Sequence, residues 1–206
     1  MESKNITHYK YRYKFCPFCG TKFDLFFLKN NEPPRHTCNE CGFIDYQDPK
    51  LIVNSIIRFN DKIVLLKRAK EVETDKWTLP GGYVDRGETI EFAAEREAME
   101  ECGIRISVEH FMRTYSYPGK MEVVVIFVAR YLSGELVAGD ETVEVTLLEP
   151  KNIPWGKLAF PSIANALEDY CAEFIKSKQI MDIDKSNVIS HFHRRREYPF
   201  EKIDFH

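Results

Sequence analysis

Residues 82–104 read GYVDRGETIEFAAEREAMEECGI, and they restrict this chain more than any other stretch of it. Helix signals bracket the segment. Thr89 suits an N-cap, Glu91 follows in the first turn where the helix dipole favours an acid, and Gly103 before apolar Ile104 suits a glycine C-cap. Ile90, Ala94, Ala98 and Cys102 recur at four-residue spacing, a stripe of mostly small side chains that lets a helix lie close to a sheet. Glu97, Glu100 and Glu101 occupy the exposed ridge, where residues three and four apart share a face. Three carboxylates therefore converge. Like charges on neighbouring turns repel, so the cluster makes most sense if a cation occupies it; the alternative is a solvated acidic face. Oxygen donors in that number suit a hard ion, Mg2+ or Mn2+, which completes its shell with waters and phosphate oxygens. Gly81, Gly82 and Gly87 permit tight turns before the helix, and Arg96 has two candidate partners, Glu100 four residues on and Glu88 in the loop.

A second constellation lies nearer the N-terminus. Cys16-Pro-Phe-Cys19-Gly20 and Cys38-Asn-Glu-Cys41-Gly42 are two C-x-x-C-G knuckles separated by eighteen residues, the spacing of four thiolates around one zinc. With all four positions taken by cysteine, no water-bearing site remains, so the metal is expected to be structural. Two disulfides are the rival reading and require an oxidising compartment. A segment of about thirty residues has too little core to fold without such a staple. Cys102 and Cys171 are expected to be buried thiols.

The first stretch resembles the Nudix box. Gly82, Glu88, Arg96, Glu97, Glu100, Glu101, Gly103 and Ile104 fill its fixed positions, with Ala98 where a larger aliphatic residue is usual. The cysteine segment is similar to the zinc ribbon that precedes some Nudix domains. The resemblance implies an α/β fold, an α/β/α sandwich around a mixed sheet, preceded by a small four-cysteine zinc ribbon. It also implies Mg2+-dependent (or Mn2+-dependent) hydrolysis of a pyrophosphate bond, with about two or three ions at the catalytic helix. Glu97, Glu100 and Glu101 would be the ligands, Glu101 also orienting or deprotonating the attacking water. Glu141, with Glu144 as second choice, matches the acid that many relatives place just before the last strand. Gly82, Glu88, Arg96 and Gly103 would brace the loop rather than touch substrate.

Substrate signals lie outside the box. Ile153-Pro-Trp-Gly-Lys-Leu-Ala-Phe160-Pro161-Ser162, together with Asp45–Lys50 and Trp77–Gly82, resembles zinc-ribbon Nudix proteins akin to ADP-ribose and FAD pyrophosphatases. NADH pyrophosphatases also pair a ribbon with this box, but only fragments of their S-Q-P-W-P-F-P run are present, so NADH ranks second. Tyr83, Tyr115 and Tyr117 could stack on adenine or flavin, although aromatic residues more often simply pack. The expected partner is a dinucleotide or other nucleoside diphosphate derivative, from which AMP would be released. The alternative class is a non-catalytic nucleotide-sensing or RNA-associated adaptor, and full retention of the box acids favours the enzyme.

Composition sets outer limits. A net charge of −3 gives no broad nucleic-acid footprint, and Lys4, Lys10, Arg12 and Lys14 form only a weak basic group. The longest apolar run, Val123–Ala129, is too short to cross a bilayer, and no signal core opens the chain, so membrane association is not expected and the cytoplasm is the default. Relatives of this kind often dimerise, which leaves a homodimer open.

Three regions are expected: a ribbon over 14–46, the main domain over 47–178, and an extension over 179–206 whose one charge cluster is His191, His193 and Arg194–Arg196. Within the main domain, Leu51–Arg58 and Lys62–Arg68 read as a hairpin around Phe59-Asn60-Asp61. Ile104–His110, Arg113–Tyr117, Met121–Leu132 and Val143–Glu149 read as strands, and Pro161 to about Ser177 as an amphipathic helix carrying Ile163, Ala166, Leu167, Tyr170 and Phe174 on one side. Trp77 is expected in the core.

Overall fold

The computed structural model describes residues 13–69 and 75–178 and, within them, side chains as far as 173. Lys4, Lys10, Arg12, the side chain of Phe174 and the His/Arg cluster at 191–196 lie outside the described residues. The chain forms two compact units with divisions after Leu51, Tyr115 and Val123, so that 116–123 groups with the N-terminal unit.

The N-terminal unit is built on β1 (Asp24–Phe26), β2 (Arg35–Thr37) and β3 (Ile44–Asp45), an antiparallel sheet in that order. Its core is thin. Cys16, Phe23 and Cys38 are buried with Phe43 against them, and Phe23 stacks on His36 at 5.2 Å between ring centroids. Phe15, Phe18 and Phe27 remain exposed, so apolar burial alone supplies little to hold this segment.

The larger unit contains β4 (Lys50–Phe59, which begins in the other unit), β5 (Lys62–Arg68), β6 (Trp77–Thr78), β7 (Gly81–Tyr83) and α1 (Ile90–Cys102). These are followed by β8 (Ile104–Ser116), β9 (Glu122–Gly134), β10 (Thr142–Leu148) and α2 (Pro161–Lys178). Seven strands make one mixed sheet in the order β10-β5-β4-β9-β8, with β6 added to β5 and β7 to β4. Adjacent residues Ile56 and Ile57 are both fully buried; since successive side chains on a strand point to opposite faces, both faces of the sheet must be covered. On one face Ile57, Val64, Leu66, Ile104, Ile106 and Ala129 pack with Ala98 and Cys102 of α1. Ala98 stands where the motif usually takes a larger side chain, and its small size suits this close seating. α2 contributes the buried stripe Ile163, Ala166, Leu167 and Tyr170, as its periodicity predicts. This is the expected sandwich.

Three expectations need correction. Ile104–Ser116 is one strand rather than two: Phe111 and Met112 offer no glycine or proline to break it, and the Phe111 ring meets Phe127 edge-on at 6.5 Å. Trp77 is half-buried rather than core; its carbonyl accepts the Ala159 N–H at 2.8 Å, so its backbone joins β6 to the Ile153–Ser162 run. Ile90 at the helix start is only half-buried, and Ala93 takes its place in the buried face of α1.

The turn after β9 runs back beneath α1. Gly139 donates its N–H to the Glu101 carbonyl at 3.1 Å, and a Cβ added to it would overlap the Glu100 carbonyl oxygen. Gly139→Ala should therefore push this loop off the helix and cost about 1–3 kcal/mol, the usual penalty for overpacking, read as a lowered midpoint in urea melts.

Candidate active site

The site grows from the junction of β7 with α1. Gly81 sits at φ 151°, and any Cβ there would overlap the Val53 carbonyl and Asn54 of the neighbouring strand β4. Gly82 serves a different purpose. A Cβ on it would run into the Glu97 carboxylate, so the glycine permits close approach of an acid rather than an unusual backbone angle. The helix begins as its sequence predicts, with the Thr89 hydroxyl accepting the Phe92 N–H at 3.1 Å, and ends on Gly103 at φ 71°, whose N–H bonds the Ala98 and Met99 carbonyls.

Arg96 is the hub. It holds both of its anticipated partners and two further ones. Nε and Nη2 grip the two oxygens of Glu88 at 3.2 and 2.8 Å, and Nη2 also donates to the Tyr83 carbonyl at 3.0 Å. Nη1 reaches Glu97 at 2.8 Å and Glu100 at 3.2 Å. Hydrogen bonds from Arg96 and from the Asp85 N–H hold the Glu88 carboxyl below its ordinary range. Burial pushes Glu97 upward against the opposing pull of Arg96.

Glu101 lies deepest. Its Oε2 accepts the Gly81 N–H at 2.7 Å, yet burial drives the carboxyl up to about 8, with further upward pressure from Glu97 and Glu141 and a lowering influence from Arg68. Glu141 thus joins the cluster electrostatically, although it comes from the loop before β10. That loop is fixed by the Gly139 contact with the helix end and by the Ala69 N–H bonding the Glu141 carbonyl at 3.0 Å. A bulge follows at once: Thr142 pairs with Arg68 but Glu144 with Lys67, which places Glu144, the second choice, on the strand rather than in the loop.

The carboxylates are neighbours without being closed into a cage. Among the described residues, the group whose ligand atoms all fall within 4.8 Å of one another is Cys16, Cys19, Cys38 and Cys41. Arg96 bridges Glu97 and Glu100, while Glu101 is held separately by the Gly81 N–H. A buried carboxyl forced this far upward, beside two more acids, is a site where a divalent cation would relieve charge repulsion, and its hard oxygen donors fit Mg2+ or Mn2+.

The tyrosines divide. Tyr83 is exposed and reaches the cluster through its backbone carbonyl. Tyr115 is buried, and its hydroxyl donates to Asp169 on α2 at 2.7 Å, so it packs the helix and is removed from the stacking candidates. Tyr117 belongs to the 116–123 segment of the N-terminal unit. Gly139 opens the Gly139–Thr142 loop that the sequence places before the last strand, and its seating against the helix end is a contact that the sequence alone does not carry.

The cysteine knuckles repeat one geometry. Gly20 and Gly42, at φ 74° and 75°, donate to the carbonyls of Cys16 and Cys38, both at 2.9 Å. The sulfurs lie 3.4 Å (Cys19–Cys38), 3.5 Å (Cys16–Cys41) and 3.6 Å (Cys19–Cys41) apart, far beyond an S–S bond of about 2.0 Å. They approach the separation of about 3.8 Å that tetrahedral ligation at about 2.3 Å requires. The residues fit a zinc ion.

Family comparisons agree with both constellations. The model described as NUDIX domain matches residues 49–168, more than half of the chain, and the zinc-ribbon model described as Nudix N-terminal matches 14–47. The chain belongs to the Nudix family. A Nudix hydrolase structure from Nitrosomonas europaea superposes with a TM-score of 0.76 at 35% identity, covering 80% of this chain and 93% of that one. An ADP-ribose pyrophosphatase of Methanocaldococcus jannaschii is 36% identical over 119 residues, 56% of this Nudix chain and 69% of that protein. The NAD-capped RNA hydrolase NudC of Vibrio atlanticus is 29% identical over 165 residues, 76% of this chain but 58% of its own length. No helix among the described residues is long and apolar enough to cross a membrane.

Two measurements follow from this geometry. Glu101 in the folded state holds a proton up to about pH 8 that the unfolded chain releases near 4.5, so its contribution to stability is present at low pH and lost as pH rises through that window. In chelator, the wild type should lose on the order of 3 kcal/mol from this group between pH 5 and 9. Glu101→Gln should flatten that slope, as urea melts across the range would reveal. A strong zinc chelator should in turn abolish amide protection in residues 14–46 in hydrogen exchange while leaving α1 and the central strands protected.

Proposed function

We propose that this chain is a Mg2+- or Mn2+-dependent pyrophosphatase. It adds water across the diphosphate linkage of a nucleoside diphosphate derivative, ADP-ribose or FAD foremost, releasing AMP and a phosphorylated product. The observation that carries this reading is the meeting of Glu97, Glu100 and Glu101 on α1 with Glu141 from the loop before β10. Glu97, Glu100, Glu101 and Glu141 would hold about two or three ions. When bound, these ions would neutralise charge on the phosphate oxygens and acidify water.

The protein's own groups set the rest. Arg96 fixes the ridge so that Glu97 and Glu100 face the substrate side with their repulsion balanced by one guanidinium. The Gly81 N–H holds Glu101 Oε2; with the carboxyl kept ionised by the bound cations, Oε1 would orient the water and take its proton as the water oxygen bonds to phosphorus and the P–O bond to the leaving phosphate breaks, the bridging oxygen departing with that phosphate. Glu141 is the other acid able to serve as base. Gly82, Glu88 and Gly103 brace the loop and helix ends. Tyr83 remains a candidate to stack on the nucleotide base.

Residues 14–46 act as a structural ribbon holding one zinc, 47–178 as the catalytic domain, and 179–206 as an extension beyond both. Four thiols that are unbonded to one another suit a reducing, cytoplasmic setting. A second reading is cleavage of NAD-type dinucleotides, free or at the end of an RNA; the NudC match favours it because it spans 76% of this chain, beyond the length of the catalytic match alone. A homodimer is compatible with either.

Purified protein with Mg2+ should cleave ADP-ribose or FAD, releasing AMP, faster than it cleaves NADH to AMP and reduced nicotinamide mononucleotide or NAD-capped RNA to nicotinamide mononucleotide and 5′-monophosphorylated RNA, followed by chromatography of products. Glu101→Gln should lower kcat by about 100- to 10,000-fold with the fold retained. Near-normal turnover in that variant would remove Glu101 from its role, and no product from any of these substrates would overturn the enzymatic reading.

A further inference from the structure

Two polar residues, Asn54 and Ser55, interrupt the buried middle of β4 between Val53 and Ile56. A buried amide destabilises a fold unless its hydrogen bonds are made, so the partner of Asn54 is informative. Its Nδ2 donates to the Leu79 carbonyl at 3.3 Å, and the same carbonyl accepts the Thr78 hydroxyl at 3.3 Å. Ser55 donates its backbone N–H to the next carbonyl, that of Pro80, at 2.9 Å. Both carbonyls of the turn that leads into β7 are therefore held from β4. Neither the box nor its bracing by Arg96 accounts for this.

The next polar group along the turn is the Gly81 N–H, which donates to Glu101 Oε2 at 2.7 Å. It belongs to the same peptide unit as the Pro80 carbonyl, and because that unit is planar the direction of one end sets the direction of the other. The unit can still swing about the bonds on either side of it, and a glycine at φ 151° resists this least. Asn54 removes that freedom in two ways. It anchors the preceding carbonyl, and as the residue directly opposite Gly81 in the β4–β7 register it lays its amide where a Gly81 side chain would stand. A swing of the Pro80–Gly81 unit would have to displace a side chain that is only 7% exposed and already bonded.

We propose that Asn54 is a positioning residue for Glu101: its bond to Leu79 and its packing on Gly81 fix the peptide whose N–H holds the carboxylate, and so fix where that carboxylate stands. The consequence for turnover rests on the pyrophosphatase reading above, whereas the link from Asn54 to the Gly81 N–H stands on the fold alone. It also gives a physical reason for an amide in a buried strand.

The competing role is purely structural, a buried amide that joins two strands, and the two roles separate experimentally. Wild type is compared with Asn54→Leu, which keeps the volume of the side chain and loses its donor. Amide exchange followed by NMR should accelerate about 10-fold at Gly81, and less at Ile57, the sign of a local release rather than a general loss of stability. With saturating Mg2+ and the diphosphate substrate that wild type cleaves fastest, kcat should fall about 10-fold while KM stays within about twofold. In a Glu101→Gln background the same change should lower kcat by less than about twofold further, because the group it positions is already gone. A lowered midpoint in urea with Gly81 exchange and kcat unchanged would overturn the proposal in favour of the structural role. So would a full loss of kcat repeated in the Glu101→Gln background. If Asn54→Leu does not fold, Asn54→Ala is read in the same ways, with the same results for and against. Wild-type protein that cleaves no diphosphate substrate would instead overturn the pyrophosphatase reading, and Gly81 exchange would then decide the positioning by itself.

Discussion

One guanidinium makes the acidic ridge tolerable. Carboxylates at successive helical positions repel one another, and the two nearest the surface of α1 would splay if nothing lay between them. Arg96 lies between Glu97 and Glu100 while its other edge closes on Glu88 and the Tyr83 carbonyl, so a single side chain ties the loop to the helix and balances its charge. Its planar fork suits this; a lysine ammonium could not reach four acceptors spread around a plane. The loop conformation and the ridge geometry are thus set together.

That arrangement leaves Glu101 outside the arginine's grasp. It is the most buried of the acids and has one backbone N–H to itself, so its charge is the least compensated from within the protein. Much of the surrounding architecture reduces to allowing close approach: Gly82 clears space for the Glu97 carboxylate, and Gly139 clears space for the loop bearing Glu141 against the end of α1. Preorganisation here comes from omitted side chains as much as from those present.

The local features of α1 were legible because each depends on residues close in sequence. Thr89, Glu91 and Gly103 announce a helix of known ends, and the four cysteines announce a common centre whatever the fold between them. What escaped depends on contacts across the sheet. Nothing near Tyr115 in sequence says that its hydroxyl will meet Asp169, fifty-four residues later, and Trp77 looks like core until its carbonyl is seen to join the Ile153–Ser162 run. The continuity of the strand through Phe111 likewise depends on a distant partner, since cross-strand packing on Phe127 keeps the chain extended there. Glu141 was found by resemblance, whereas the glycine that seats it became visible only with the backbone in place.

The bulge between Thr142 and Glu144 has an evolutionary corollary. Val143 is the extra residue there, since the ladder pairs Thr142 with Arg68 on one side and Glu144 with Lys67 on the other, so one residue is absorbed without altering the pairing beyond it. A residue gained or lost at that point of the edge strand would thus be taken up locally, without rethreading the sheet.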